Sequence, residues 1–474
     1  MSNDPTRPSL PSMPAPSAPE PDEPPRESGP ARVSIGGTRP AATPSQPPTS
    51  TPLLPPSATQ EFIPKEPRTW EELGINSTFV ELMVLRFLLN VPAESARGVS
   101  QELCINFVLV REVLESARSA KQVQHRGSNK VGDFIFELTE AGRNAALDSR
   151  RQTNYVGPAP VPFDDYLESI SWQTIGNKSP GPDDLVRAFH DLMVSDELLE
   201  RLGPAVNGSK SLFLFGDPGN GKTSLAERIT RCFGDEIWIP QTLSIDGVLV
   251  KLYDPAVHFE VPRRNVGDER FDRRWVRIRR PTVITGGELT LDMLEIGVNK
   301  LTNVHEAPLQ LKSNGGTLVI DDFGRQRMPP QDLLNRWIFP LEKRTDFLRL
   351  PDGRKVAAPF DCLLVFATNL EPKNLADEAF LRRIPYKIRV EDPTEDEFKQ
   401  LTELLAIKMK VSLPRGSTNY LVDRHFKMAK RAMRFCHPRD LLLQIQHRCM
   451  FERRAPVAMP EDWDRAAQNY FGAV

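Results

Sequence analysis

The stretch "LFLFGDPGNGKTSLAERI", Leu212 to Ile229, decides the fold. An apolar run, Leu212 to Phe215, reads as a buried strand; glycines then turn the chain, and from Thr223 onward the apolar spacing is helical. The segment contains G-x-x-x-x-G-K-T, Gly216 to Thr223, in the strand-loop-helix context that a P-loop requires. Gly219 and Gly221 let backbone N–H groups turn inward around phosphate oxygens, and the helix starting near Lys222 points its positive end at them. The candidate nucleotide contacts are therefore Gly216, Asp217, Pro218, Gly219, Asn220, Gly221, Lys222, Thr223 and Ser224. Lys222 is expected to reach the β- and γ-phosphates of ATP, and the Thr223 hydroxyl to ligate Mg²⁺. The alternative is an ordinary glycine-rich turn, which needs neither the lysine nor the hydroxyl.

Further on, "GGTLVIDDFGRQR", Gly315 to Arg327, ends an apolar run on two adjacent carboxylates. Two acids at the end of a buried strand are costly unless a cation accompanies them. The P-loop supplies the reason for the first: Asp321 is expected to hold Mg²⁺ together with Thr223. A structural pair capping a turn is the competing explanation.

The 474 residues suffice for two or three domains. A formal net charge of −2 exerts no global pull toward nucleic acid or anionic membrane, so any such contact must come from a local patch. Five scattered cysteines, Cys104, Cys232, Cys362, Cys436 and Cys449, form no C-x-x-C or Cys/His ligand spacing, which argues against a disulfide framework or a zinc site. Neither a membrane span nor a signal peptide is visible, and a reducing, cytoplasmic location is expected.

Proline takes 18 of the first 65 positions, and residues 1–66 are expected to be a disordered tail. Residues 67–150 read as three helices, a two-stranded wing ("QVQHRG" and "DFIFELT") and a last helix. That order resembles the winged helix-turn-helix of bacterial transcription regulators, which bind DNA or dock proteins. In the expected recognition helix, Phe107 to Lys121, Arg111, Arg118 and Lys121 stand against Glu112 and Glu115, a thin surplus for phosphate. Residues 151–165 read as a second linker, and beyond it helix and strand patterns alternate, which argues α/β.

Downstream of the acidic pair come the strand "CLLVFATN", then "AFLRRI", then "HPRDL" in a helical C-terminal region. With the P-loop and "LVIDD", this order resembles the AAA+ ATPase module, over roughly Pro160 to Val474. The resemblance implies an α/β domain over 166–392 and a helical lid over 393–474. It makes Asn369 sensor 1, orienting the attacking water with Asp322, Arg383 or its neighbour Arg382 the arginine finger, and Arg439 sensor 2. Taken singly, Asn369 also fits a turn residue, Arg383 a surface ion pair and Arg439 a solvated charge at a helix start. A finger acting on the next subunit's nucleotide implies a ring, of six subunits by the resemblance.

The chain departs from that pattern in two places. Lys222 and Asp321 lie 99 residues apart, and the surplus is expected to be an inserted hairpin at about 243–284, from "DGVLVKLYD" and "RRWVRIRRPTVIT". Eight arginines fall between Arg263 and Arg280, with Phe271 and Trp275 interleaved, and they fit either a nucleic-acid contact or a salt-bridged, solvated hairpin. A "PDG" turn before the strand ending in Asn369 resembles the extra hairpin of the AAA+ branch with magnesium chelatases and MoxR-type chaperones. The second departure is Asp322, where the family more often has glutamate, so hydrolysis is expected to be slow but real. The leading expectation is an oligomeric remodelling ATPase that recruits a protein client through its winged helix. A DNA-binding regulator switched by ATP and an ATP-binding scaffold with little hydrolysis are the alternatives.

Overall fold

In the computed structural model, four of the apolar segments become neighbours in one parallel sheet. Its order is Thr282–Thr285, Thr317–Ile320, Leu363–Thr368, Ser211–Phe215, Tyr386–Arg389. The structure describes residues 61–129, 132–208, 210–234, 236–262, 271–375 and 378–472; the expected disordered tail lies outside them up to residue 60. A parallel sheet covered on both faces buries both sides of each strand, which is why these segments read as apolar runs without alternation. Phe213, Leu318, Ile320, Leu364 and Phe366 pack on one face with Trp337 and Phe360. Leu212, Leu214, Val319 and Val365 pack on the other with Ile229 and Phe233. The register aligns Ile320 with Phe366, and Thr368 with Phe215, so the carboxyl ends of the central strands meet at one edge.

The region between the P-loop and the acidic strand differs from expectation. The two segments read as one inserted hairpin do not pair with each other. Thr242–Ile245 pairs with Val248–Lys251 around Asp246 and Gly247, whose φ values of +49 and +83 are those of the two-residue turn that Asp-Gly favours. Trp275–Arg279 pairs instead with Glu236–Pro240, and "TVIT" is the edge strand of the parallel sheet. A second sheet runs Gly297–Asn299, Val304–Glu306, Val248–Lys251, Thr242–Ile245, Val161–Pro162.

Among the described residues of the arginine-rich stretch, Arg274 and Arg280 are buried, Arg273 and Arg277 half-buried and Arg279 exposed. Arg274 is 2% exposed, paired with Asp272 at 2.8 Å, and donates to the carbonyls of Leu73 and Pro160. Arg280 donates to the carbonyls of Gln173 and Gly315, Arg277 pairs with Glu236 and Glu61, and Trp275 is buried. Arg274 and Trp275 therefore cannot serve the nucleic-acid contact considered above. Counting charge misses this because Arg274 and Arg280 flank the strand Trp275–Arg279 and are buried by acceptors distant in the chain, Leu73, Pro160, Gln173 and Gly315. Arg263, Arg264 and Arg270 lie outside the described residues.

Residues 67–150 form the expected helices, Ser77–Asn90, Ala96–Leu103, Phe107–Ser119 and Glu140–Arg150, around their own core. Asn76, Ser95, Asn106 and Thr139 cap them, each side-chain oxygen accepting a first-turn N–H. The hairpin Val123–Ser128 with Phe134–Leu138 is present, and Glu94–Ser95 adds a third strand. The segment read as a linker is built into the fold: Ala159 and Val161 are fully buried, and Val161–Pro162 pairs with Thr242–Ile245. Hydrogen bonds from Ala159 N to Leu103 O and Asn303 to Gln152 O tie the N-terminal region to the second sheet, and one from Arg273 to Ser100 O ties it to the segment before Trp275–Arg279. A freely swinging recruitment domain is therefore not what the chain builds.

The C-terminal region is helical, with Glu395–Lys408, His437–Phe451 and Pro460–Phe471 around Phe398, Leu441, Ile445 and Trp463. Replacing Arg274 by methionine should cost about 3–5 kcal/mol, because Asp272 is left as an uncompensated buried charge. In calorimetry that variant should melt well below the native chain, and adding Asp272→Leu should recover most of the loss.

Candidate nucleotide site

The site is the turn that follows the strand Ser211–Phe215. Gly216 and Gly219 take φ of +137 and +88, and a Cβ on either would come within 2.5 Å of the Val390 carbonyl oxygen or of Cys436 Sγ. These glycines allow both the inward turn of the backbone and the close approach of the C-terminal domain.

Lys222 opens the helix Lys222–Ile229. Its ammonium donates to the carbonyls of Gly216 and Asp217 at 3.0 and 2.9 Å, and to Asn369 Oδ1 at 2.6 Å. Burial holds this ammonium below the usual lysine value, while the carboxylates of Asp321, Asp322 and Asp217 pull the other way. Asn369 in turn donates from Nδ2 to Asp322 Oδ1 at 3.1 Å, so the loop lysine, the strand-end amide and the second acid form one network.

Thr223 Oγ1 donates to Asp321 Oδ2 at 2.8 Å. A hydroxyl and a carboxylate oxygen side by side suit a hard cation, and Mg²⁺ takes one or two protein oxygens and fills its shell with water and substrate phosphate. Thr223 and Asp321 are the residues that would hold the ion.

Asp322 has φ of +47, the left-handed region that Asp and Asn enter more readily than longer side chains. Gln326, which the sequence reading passed over, holds this turn by donating to the carbonyls of Asp321 and Asp322 and accepting from Gly324 N.

A cleft of about 840 Å³ opens over these groups. Its lining runs from Pro218 to Ser224, includes Asp321, Asp322 and Asn369, and adds Leu192, Val194, Leu401, Leu405, Phe435 and Arg439. Arg439 sits on the rim, its side chain 68% exposed and paired with Asp440. Arg434, which the motif reading missed, is more buried and lies behind the lining: it is paired with Asp217 at 3.0 Å and with Asp392. No spacing in the sequence links these three residues, so there was no signal to find them by. Arg383 pairs with Glu342 at 2.7 Å and Arg382 is exposed; neither belongs to the lining of this chain's own cleft.

Residues 394–469 match a family model described as a domain of unknown function, DUF8689. No curated protein matches. Among solved structures the chain is similar to a mutant RuvB of Thermotoga maritima, at 14% identity and a TM-score of 0.36, covering 59% of this chain and 72% of that one. A second RuvB structure, described as a Holliday junction branch migration motor, gives 14% identity and a TM-score of 0.33, covering 62% and 72%. NtrX from Brucella abortus gives 10% identity and a TM-score of 0.37, covering 68% and 66%. Likeness at these TM-scores carries no argument about this chain.

Gly219→Ala should weaken nucleotide binding about tenfold or more, through left-handed backbone strain of roughly 1–2 kcal/mol and the contact with Cys436. Titration with a fluorescent ATP analogue reads the loss directly.

Proposed function

We propose that the chain is a Mg²⁺-dependent ATPase of the AAA+ type, with slow turnover, working as an assembly of several copies. The observation that carries this reading is the network of Lys222, Asn369 and Asp322 at adjoining strand ends, beside the Thr223–Asp321 pair. In this reading the base enters the apolar slot of Leu192, Val194, Leu401 and Leu405, and the phosphates follow the loop from Pro218 to Ser224. Lys222 neutralises the β- and γ-phosphates, and a bound Mg²⁺ would supply further charge compensation there. Asn369 and Asp322 orient a water for in-line attack on the γ-phosphorus; the bond to the bridging oxygen breaks, ADP leaves, and Asp322 takes the proton of the water.

Arg383, or else Arg382, acts on the nucleotide of a neighbouring copy; support comes from their position outside the lining of their own cleft. The winged-helix-like domain is read as a protein-docking module. On the outer face of Phe107–Ser119, Glu115 pairs with Arg118 at 2.9 Å and Glu112 accepts from Trp70, an arrangement poorly suited to phosphate. A remodelling role for a protein client follows from this reading, and a ring of six copies is the assembly proposed. Among the described residues no helix is long and apolar enough to cross a membrane.

Asp322→Asn should lower kcat by roughly a hundredfold or more and leave ATP affinity within a few-fold, since removing a positioned base costs the chemical step and not the binding. A native chain that binds ATP without releasing phosphate would instead make it a scaffold. Specific activity should also rise with protein concentration, and Arg383→Ala should abolish that rise; an activity independent of concentration would remove the neighbouring copy from the reaction.

A further inference from the structure

The G-x-x-x-x-G-K-T pattern leaves positions 217 and 220 open, and this chain fills both with side chains that grip the C-terminal domain. Asp217 pairs with Arg434 at 3.0 Å. Asn220, 4% exposed, donates to Asp392 Oδ1 at 2.7 Å, and Asp392 also pairs with Arg434. Between them, the carbonyl of Gly219 accepts from Cys436 N at 2.9 Å. Asp392 stands just before Thr394, the cap of the first lid helix, so it marks the point where the sheet domain passes into the lid.

We propose that Arg434 is a positioning residue that clamps the lid onto the P-loop through Asp217 and Asp392, and so sets nucleotide affinity while leaving the chemical step alone. This rests on the reading of the cleft as a nucleotide site. Arg434 is 18% exposed at its side chain against 68% for Arg439, and its backbone N–H donates to Nδ1 of His437. His437 is kept neutral chiefly by burial, with the Arg434 charge adding to that, and its pKa is pushed down to about 4. The next two residues, Phe435 and Cys436, line the cleft, as do Leu401 and Leu405 on the lid helix, so the clamp fixes the apolar wall against which a base would lie. A wall already held in place spares the nucleotide the cost of ordering it, which appears as affinity.

The full-length chain tests this with two readouts on Arg434→Ala, Arg434→Lys and Asp392→Asn. Without nucleotide, Arg434→Ala should speed amide hydrogen exchange in residues 217–222 and 392–398, with smaller effects for the other two variants. With MgATP and a fluorescent ADP analogue, Arg434→Ala should raise Kd and KM by about tenfold, the loss of charge-assisted hydrogen bonds, with kcat changed less than threefold and partial recovery in Arg434→Lys. Unchanged exchange, or a fall in kcat at unchanged KM, overturns the clamp. Asp392→Asn keeps the test informative where Arg434→Ala fails to fold, because an unaltered Kd in that variant counts against the clamp equally. If the variants show the exchange pattern but the native chain binds no nucleotide, the reading of the cleft and with it the affinity role are overturned, and only the holding of the C-terminal domain on the loop stands.

Discussion

The candidate site depends on where the ammonium of Lys222 is held. Two loop carbonyls and the Asn369 amide fix it at the carboxyl edge of the parallel sheet, 7% exposed. A cation so placed needs negative charge nearby, and Asp321 and Asp322 arrive on the strand two places away in the sheet. The strand between them, Leu363–Thr368, delivers Asn369 into the gap. Parallel pairing makes this convergence possible, because all the strands end on the same side and ligands gather beyond those ends.

The surrounding structure serves that edge. Apolar side chains alternate between two cores, so each strand is pinned on both faces and its terminal residue has little freedom. The C-terminal helices close the other side of the cleft and are tied to the loop through Arg434, Asn220 and Cys436. The N-terminal helices are hydrogen-bonded through Arg273 and Arg274 to the segment that leads into the strand Trp275–Arg279.

In the proposed reaction Asp322 is the residue whose backbone geometry bears on rate. A shorter side chain than glutamate would seem a poor choice for polarising water. Yet the residue sits at φ +47, where aspartate is tolerated better than longer acids, and it is already hydrogen-bonded to Asn369. The turn that Gln326 stabilises decides which acid fits there.

The strand, glycine-rich turn and helix from Ser211 to Ile229, the acidic strand, the strand ending next to Asn369 and the helical C-terminal region were all legible from the sequence, because buried parallel strands and glycine-rich turns leave compact local signatures. The winged-helix-like order of helices and hairpin was legible from spacing and turn residues. The pairing of strands between the P-loop and the acidic strand was not, even though the Asp246–Gly247 turn marked one tight hairpin, since register depends on partners far away in the chain. Arginines near Arg274 looked like a surface patch in the sequence, and only tertiary packing showed Asp272, Leu73 and Pro160 around that side chain. The linker, the clamp at Arg434 and the left-handed Asp322 belong to the same class. The sequence by itself determined the chemistry available, because residue type and local spacing are enough for that. The tertiary structure decided which charges meet, because burial and pairing are properties of the folded chain.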